Sequence, residues 1–161
     1  MVLPKKGTKL EYFDGGRGGY SAYIHSLVAA NSVTSGTWRQ ENTSITLKPG
    51  AAQNSIKYGF KIMWADGWDD MRQTLFDEGL FDIRVVPGMT IPTDLTAQFS
   101  LHTKNNIDSI VPEFPGKTTL KFLGEKQPGH FVYEVGFSKL GENMLTVYYG
   151  KVEKTYLEFF S

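Results

Sequence analysis

The run W-A-D-G-W-D-D, residues 64–70, places two tryptophans and three aspartates within seven positions. Indole faces stack on the C–H faces of sugar rings and carboxylates accept hydrogen bonds from hydroxyls, so Trp64, Trp68 and Asp69 form a candidate carbohydrate platform. A calcium loop would need alternating oxygen ligands closed by a distal carboxylate, and D-G-W-D-D running into M-R-Q-T-L-F lacks that spacing. The same residues also have a structural use. Trp64 would end a core-facing strand, Trp68 would open the buried stripe of a helix, and Asp66 or Asp69 would accept from the free N–H groups of its first turn. Burial of the indoles separates the two uses.

A second cluster is Y-F-D-G-G-R-G-G-Y-S-A-Y, residues 12–23. Glycines let a backbone approach a ligand closely, Asp14 and Arg17 could bond hydroxyls or a uronate, and Tyr12, Tyr20 and Tyr23 could stack. The alternative is a long flexible hairpin loop. No Gly-Lys-Ser/Thr follows, so this is not a phosphate-cradling P-loop. With Trp38, the third tryptophan, these residues complete the candidate carbohydrate-binding set.

Other chemistry has less support. His25, His102 and His130 share no metal-ligand spacing, and the chain has no cysteine, which removes thiolate zinc sites, disulfides and cysteine nucleophiles. There is no G-x-S-x-G elbow, and among Glu41, Asp66, Asp69, Glu113 and Glu125 nothing singles out a catalytic pair. No catalytic residue, metal or cofactor is expected. The 17 basic residues balance 17 acidic ones, so the surplus of positive charge that phosphate neutralisation needs is missing and no nucleic-acid partner is expected. No run of eighteen apolar residues suits a membrane span, and M-V-L-P-K-K-G lacks the apolar core of a signal peptide, so the protein is cytoplasmic or its secretion signal lies elsewhere.

These candidates must be positioned by strands. K-L-E-Y-F, G-Y-S-A-Y-I-H, S-V-T-S-G-T-W-R-Q, S-I-T-L-K-P-G and K-Y-G-F-K-I-M-W read as antiparallel strands, the last with Tyr58, Phe60, Ile62 and Trp64 on one face. In D-D-M-R-Q-T-L-F-D-E-G, Trp68, Met71, Leu75 and Phe76 make a helical stripe that Gly79 would cap. Seven short strands follow, with alternation plain in Ala97, Phe99, Leu101 and in Leu145, Val147, Tyr149, which is the pattern of an immunoglobulin-like sandwich. Pro87 and Pro92 fit only an edge or bulged strand. The expected fold is all-β: a β-rich segment over residues 1–79 ending in one short linking helix, then an Ig-like antiparallel β-sandwich over 80–161.

The stretch L-K-P-G with Y-G-F-K-I-M-W-A-D-G-W-D-D-M-R-Q-T-L-F-D-E-G-L-F-D-I-R-V-V-P-G-M-T-I-P-T-D-L, and later S-K-L-G-E-N-M-L-T-V-Y-Y-G with T-Y-L-E-F-F, resembles one region of large six-hairpin glycosidase-like proteins. In that region the end of a galactose-mutarotase-like supersandwich joins an Ig-like domain, and the likeness runs from about residue 40 to the end. The resemblance implies a non-catalytic accessory module of an extracellular polysaccharide-degrading enzyme, covalently linked to a catalytic domain and contacting polysaccharide or oligosaccharide. It carries no catalytic residue onto this chain. A structural spacer without a ligand, and a mutarotase-like or glycosidase enzyme, are the competing expectations.

Overall fold

A computed structural model describes residues 1–16, 18–25, 44–50 and 54–161, with the backbone alone for 11–16 and 20–22. The chain forms two compact units, Met1–Ala65 and Asp66–Ser161.

In the first unit, β1 (Val2–Pro4) pairs antiparallel with β4 (Phe60–Ile62), setting Val2 opposite Ile62 and Pro4 opposite Phe60. Thr8 is buried, and its hydroxyl accepts from the Gly59 N–H at 2.9 Å, which ties the turn after β1 to the approach to β4. Between them in sequence lies a hairpin of β2 (Leu10–Gly16) and β3 (Gly19–Ile24). The glycine-rich stretch is thus mostly paired strand, not the long loop that its composition suggested. Residues 44–48, expected as a strand, are irregular. The expected strand around Tyr58 and Trp64 shrinks to three residues, and its outer members are exposed, Ile62 at 85% and Trp64 at 89%.

The second unit opens with α1 (Trp68–Asp77) and continues as seven strands: β5 (Asp82–Val86), β6 (Thr96–His102), β7 (Ile107–Pro112), β8 (Thr118–Gln127), β9 (His130–Phe137), β10 (Glu142–Tyr149) and β11 (Glu153–Phe160). Sheet order β5-β6-β9-β8 in one layer and β11-β10-β7 in the other is the seven-strand arrangement of constant-type immunoglobulin domains. All seven expected strands are present. The helix, read from sequence as the end of the first segment, groups with this unit.

Period-2 alternation builds the core. Ala97, Phe99 and Leu101 of β6, Val135 and Phe137 of β9, Leu145 and Val147 of β10, and Leu157 and Phe159 of β11 are all buried. Each of these side chains larger than Ala97 contributes roughly 1.5–3 kcal/mol of transfer free energy, which fixes the register, because a one-residue slip would expose the whole set. The edge strand β5 stops at Val86, where Pro87 has no N–H to continue the ladder. The chain then crosses to the other layer. Ile91 N–H donates to Phe160 O at 2.8 Å, Phe160 N–H donates to Met89 O at 2.8 Å, and Thr90 bridges Phe160 in parallel. At the corner before β10, buried Asn143 donates through Nδ2 to Lys139 O and Gly141 O, both at 2.9 Å, and locks the turn.

Candidate functional site

Helix α1 carries the best-defined candidates. Gly67 stands at its N-cap with extended backbone and no side chain caps the helix, so neither Asp66 nor Asp69 acts as the expected cap. Asp70 instead reaches back, its Oδ2 accepting from the Asp66 N–H at 3.0 Å, and with Asp69 it puts negative charge beside the positive end of the helix dipole. The other end forms a Schellman motif. Leu80 N–H donates to Leu75 O at 2.8 Å and Gly79 N–H to Phe76 O at 3.0 Å, with Gly79 at φ 71, as its type suggested. Two side chains from the β6–β7 turn fasten this end: Lys104 Nζ donates to Asp77 O, and Asn105 Nδ2 donates to Gly79 O at 2.7 Å.

The expected buried stripe is corrected at its first member. Trp68 is 75% exposed, and no residue of α1 is fully buried. What docks the helix is Phe76, whose ring stacks on His102 with centroids 4.5 Å apart and planes at 21°. Arg72 lies 3.2 Å from Asp69 Oδ1 and 3.8 Å from Oδ1 of buried Asp82, so a guanidinium runs from the tip of the helix to β5. Trp68 therefore stands in water with a carboxylate and a guanidinium on the same helix.

Trp64 belongs to the first unit and is also exposed, so neither indole fills a core. In the hairpin, Tyr12 pairs in register with Tyr23, Asp14 with Ser21 and Gly15 with Tyr20, and Tyr23 is half-buried. Trp38 and Arg17 lie outside the described residues, as do the side chains of Tyr12, Asp14 and Tyr20.

Sequence reasoning missed the histidine contact. His102 and His130 are cross-strand partners on β6 and β9 with ring centroids 3.8 Å apart. Burial first, then the neighbouring His130, holds the His102 pKa below its ordinary 6.5; Arg84 adds to this and Asp82 opposes it. Among the described residues no three His, Asp or Glu side chains cluster to hold a metal ion, and no helix is long and apolar enough to cross a membrane.

Two depressions mark the sandwich. One, of about 250 Å³, gathers Asp94, Lys117, Ser138 and several threonines at one end. The other, of about 460 Å³, opens between β7 and β8 and includes Asp108. Among the described residues each is lined by a single carboxylate, whereas glycoside hydrolysis uses two across a cleft. Neither includes Trp64 or Trp68.

No curated protein and no solved structure matches the sequence significantly. A family model does, over residues 9–160, and the chain belongs to that family, DUF5695, a family of unknown function.

Proposed function

We propose that this chain is a non-catalytic, carbohydrate-binding accessory module of an extracellular polysaccharide-degrading enzyme, with Trp68 as its stacking platform and Asp69 as a hydroxyl acceptor. The observation that carries the reading is the exposure of Trp68 on an anchored helix. An indole offers roughly 150–250 Å² of surface, worth about 4–6 kcal/mol if removed from water at ~25 cal/mol per Å². Leaving most of that unused suits a surface that meets a ligand. The resemblance of residues 40–161 to the β-sandwich region of six-hairpin glycosidase-like proteins supports the same class.

A second reading has its own observation. Tyr58, Ile62 and Trp64 of the first unit are all exposed, and Val2, the cross-strand partner of Ile62, is exposed beside it. Such an apolar surface suits a structural spacer seated against a covalently linked catalytic domain.

Affinity electrophoresis against neutral and acidic polysaccharides, with tryptophan fluorescence titration, separates the two. Carbohydrate binding by Trp68 predicts retardation in at least one gel and a loss of about tenfold or more in affinity for Trp68→Ala, the equivalent of ~1.4 kcal/mol. Binding that survives Trp68→Ala would move the platform elsewhere, and no retardation by any glycan would leave the spacer.

A further inference from the structure

We propose that the groove between the edges of β7 and β8 is a binding site for a small neutral aromatic molecule bearing one hydrogen-bonding oxygen, stacked on Phe122 and met by the Tyr133 hydroxyl. This site is independent of Trp68 and of the carbohydrate reading.

The groove exists because β7 ends one sheet and β8 ends the other, and among the described residues no further strand closes the sandwich on this side. Its volume of about 460 Å³ lies within the range of small-molecule sites, roughly 300–1,000 Å³. Ile107 and Ile110 line it from β7, Leu120 and Phe122 from β8, and Phe131 and Tyr133 from β9. Phe122 is 54% exposed, so its ring is not sealed over by the protein. It leans on Tyr133 with centroids 4.9 Å apart at 40°, and Tyr133 stacks on the core ring of Phe99 at 5.2 Å and 13°. The aromatic wall is therefore continuous with the core and held rigid by it.

Tyr133 is the informative residue. It is only 9% exposed, and a buried phenol normally finds a hydrogen-bond partner. Among the described residues none bonds its hydroxyl, and its raised pKa has burial as the sole cause. Yet the oxygen is not fully enclosed, since Asn143 Oδ1 is the one completely buried side-chain atom without a partner among the described residues. The hydroxyl thus retains some access to solvent, and Tyr133 is among the residues that line the groove. A ligand oxygen arriving there would replace water on a group that the protein leaves unsatisfied.

The remaining lining sets the ligand class. Asp108 already accepts the Lys151 N–H at 2.8 Å, and among the described residues no Lys, Arg or His lines the groove to offer an anion a counter-charge. Ring faces favour an aromatic over an aliphatic guest by about 0.5–1.5 kcal/mol beyond area alone. An extended peptide fits less well, because bulges between Phe122 and Gly124 and between Glu125 and Gln127 break the β8 edge.

The test uses the full chain with isotope-labelled Ile and Leu methyls, titrated in parallel with 4-methylphenol, toluene and benzoate. Saturable shifts at Ile107, Ile110 and Leu120 are expected with 4-methylphenol, and weaker binding with benzoate. Tyr133→Phe should weaken 4-methylphenol about three- to tenfold while leaving toluene unchanged, because only the hydrogen bond is lost. Phe122→Ala, at a ring 54% exposed and outside the buried core cluster, should weaken both. Shifts that grow linearly without saturation, equal binding of 4-methylphenol to wild type and Tyr133→Phe, or preference for benzoate would each overturn the assignment.

Discussion

Replacing Gly129 with alanine should destabilise the second unit by about 2–5 kcal/mol, the sum of a strained backbone and an overfilled contact. Gly129 sits at φ 77, a left-handed conformation that costs an alanine roughly 1–2 kcal/mol. An ideal Cβ there would lie 2.7 Å from Thr103 O and 2.8 Å from a ring carbon of Phe76. The Thr103 oxygen belongs to backbone pinned by the Thr103 N–H bond to Gly129 O at 3.0 Å, so it cannot retreat cheaply, and overpacking adds about 1–3 kcal/mol. Gly116 is the control, since it has ordinary backbone and nothing within 4 Å of its virtual Cβ; Gly116→Ala should stay within about 0.5 kcal/mol. Urea unfolding should be followed through the core methyls of Leu145 and Val147, because a chain of two units need not unfold in one step. At about 4–8 °C per kcal/mol for a unit of this size, the melting temperature should drop by roughly 10 °C or more. If Gly129→Ala and Gly116→Ala unfold at the same urea concentration, the close approach of Phe76 to this turn is wrong.

His102 should make the same unit acid-sensitive. Its folded-state pKa is lowered, by burial first and then by His130, so the unfolded chain binds the proton more readily. The stability is full above about pH 6.5, is lost as pH falls through the folded-state value, and is flat below it. Denaturation midpoints from pH 8 to 5 should therefore fall less for His102→Phe, which keeps the ring against Phe76 without the proton; superimposable profiles would refute this. In the core, Leu145 is fully buried, so Leu145→Ala should cost about 2–5 kcal/mol, whereas Val152→Ala at an exposed site should change the urea midpoint little.

The second unit was legible in the sequence because antiparallel strands with one buried face write their register into local alternation. Ala97, Phe99 and Leu101 announce which side of β6 faces inward, and Pro87 announces where β5 must stop. The first unit was less legible for the same physical reason. Alternation through Tyr58, Phe60, Ile62 and Trp64 says that these residues share a face, but not that anything covers it. The stripe Trp68, Met71, Leu75, Phe76 likewise gives a face while leaving open which end is anchored. The contact between His102 and His130 depends on the pairing of β6 with β9, and the Tyr133 groove on which strands end their sheets. Neither can be read from residue types before the topology is known.

The anchoring of α1 decides how a binding experiment should be interpreted. Its fixed points are Phe76 on His102, the Lys104 and Asn105 bonds to the last turn and the Schellman motif at the C-terminal end, and the Arg72–Asp82 ion pair at mid-helix. Trp68 lies at the opposite end and contributes little buried surface. Trp68→Ala should accordingly change stability by less than about 0.5 kcal/mol, while Phe76→Ala, which removes the docking ring, should cost about 2–4 kcal/mol. Under that contrast, a loss of glycan affinity in Trp68→Ala reports a missing contact and not a loosened helix. A stability loss above ~1 kcal/mol for Trp68→Ala, measured by urea unfolding, would show that the indole helps hold the helix and would remove the reason for treating it as a presented surface.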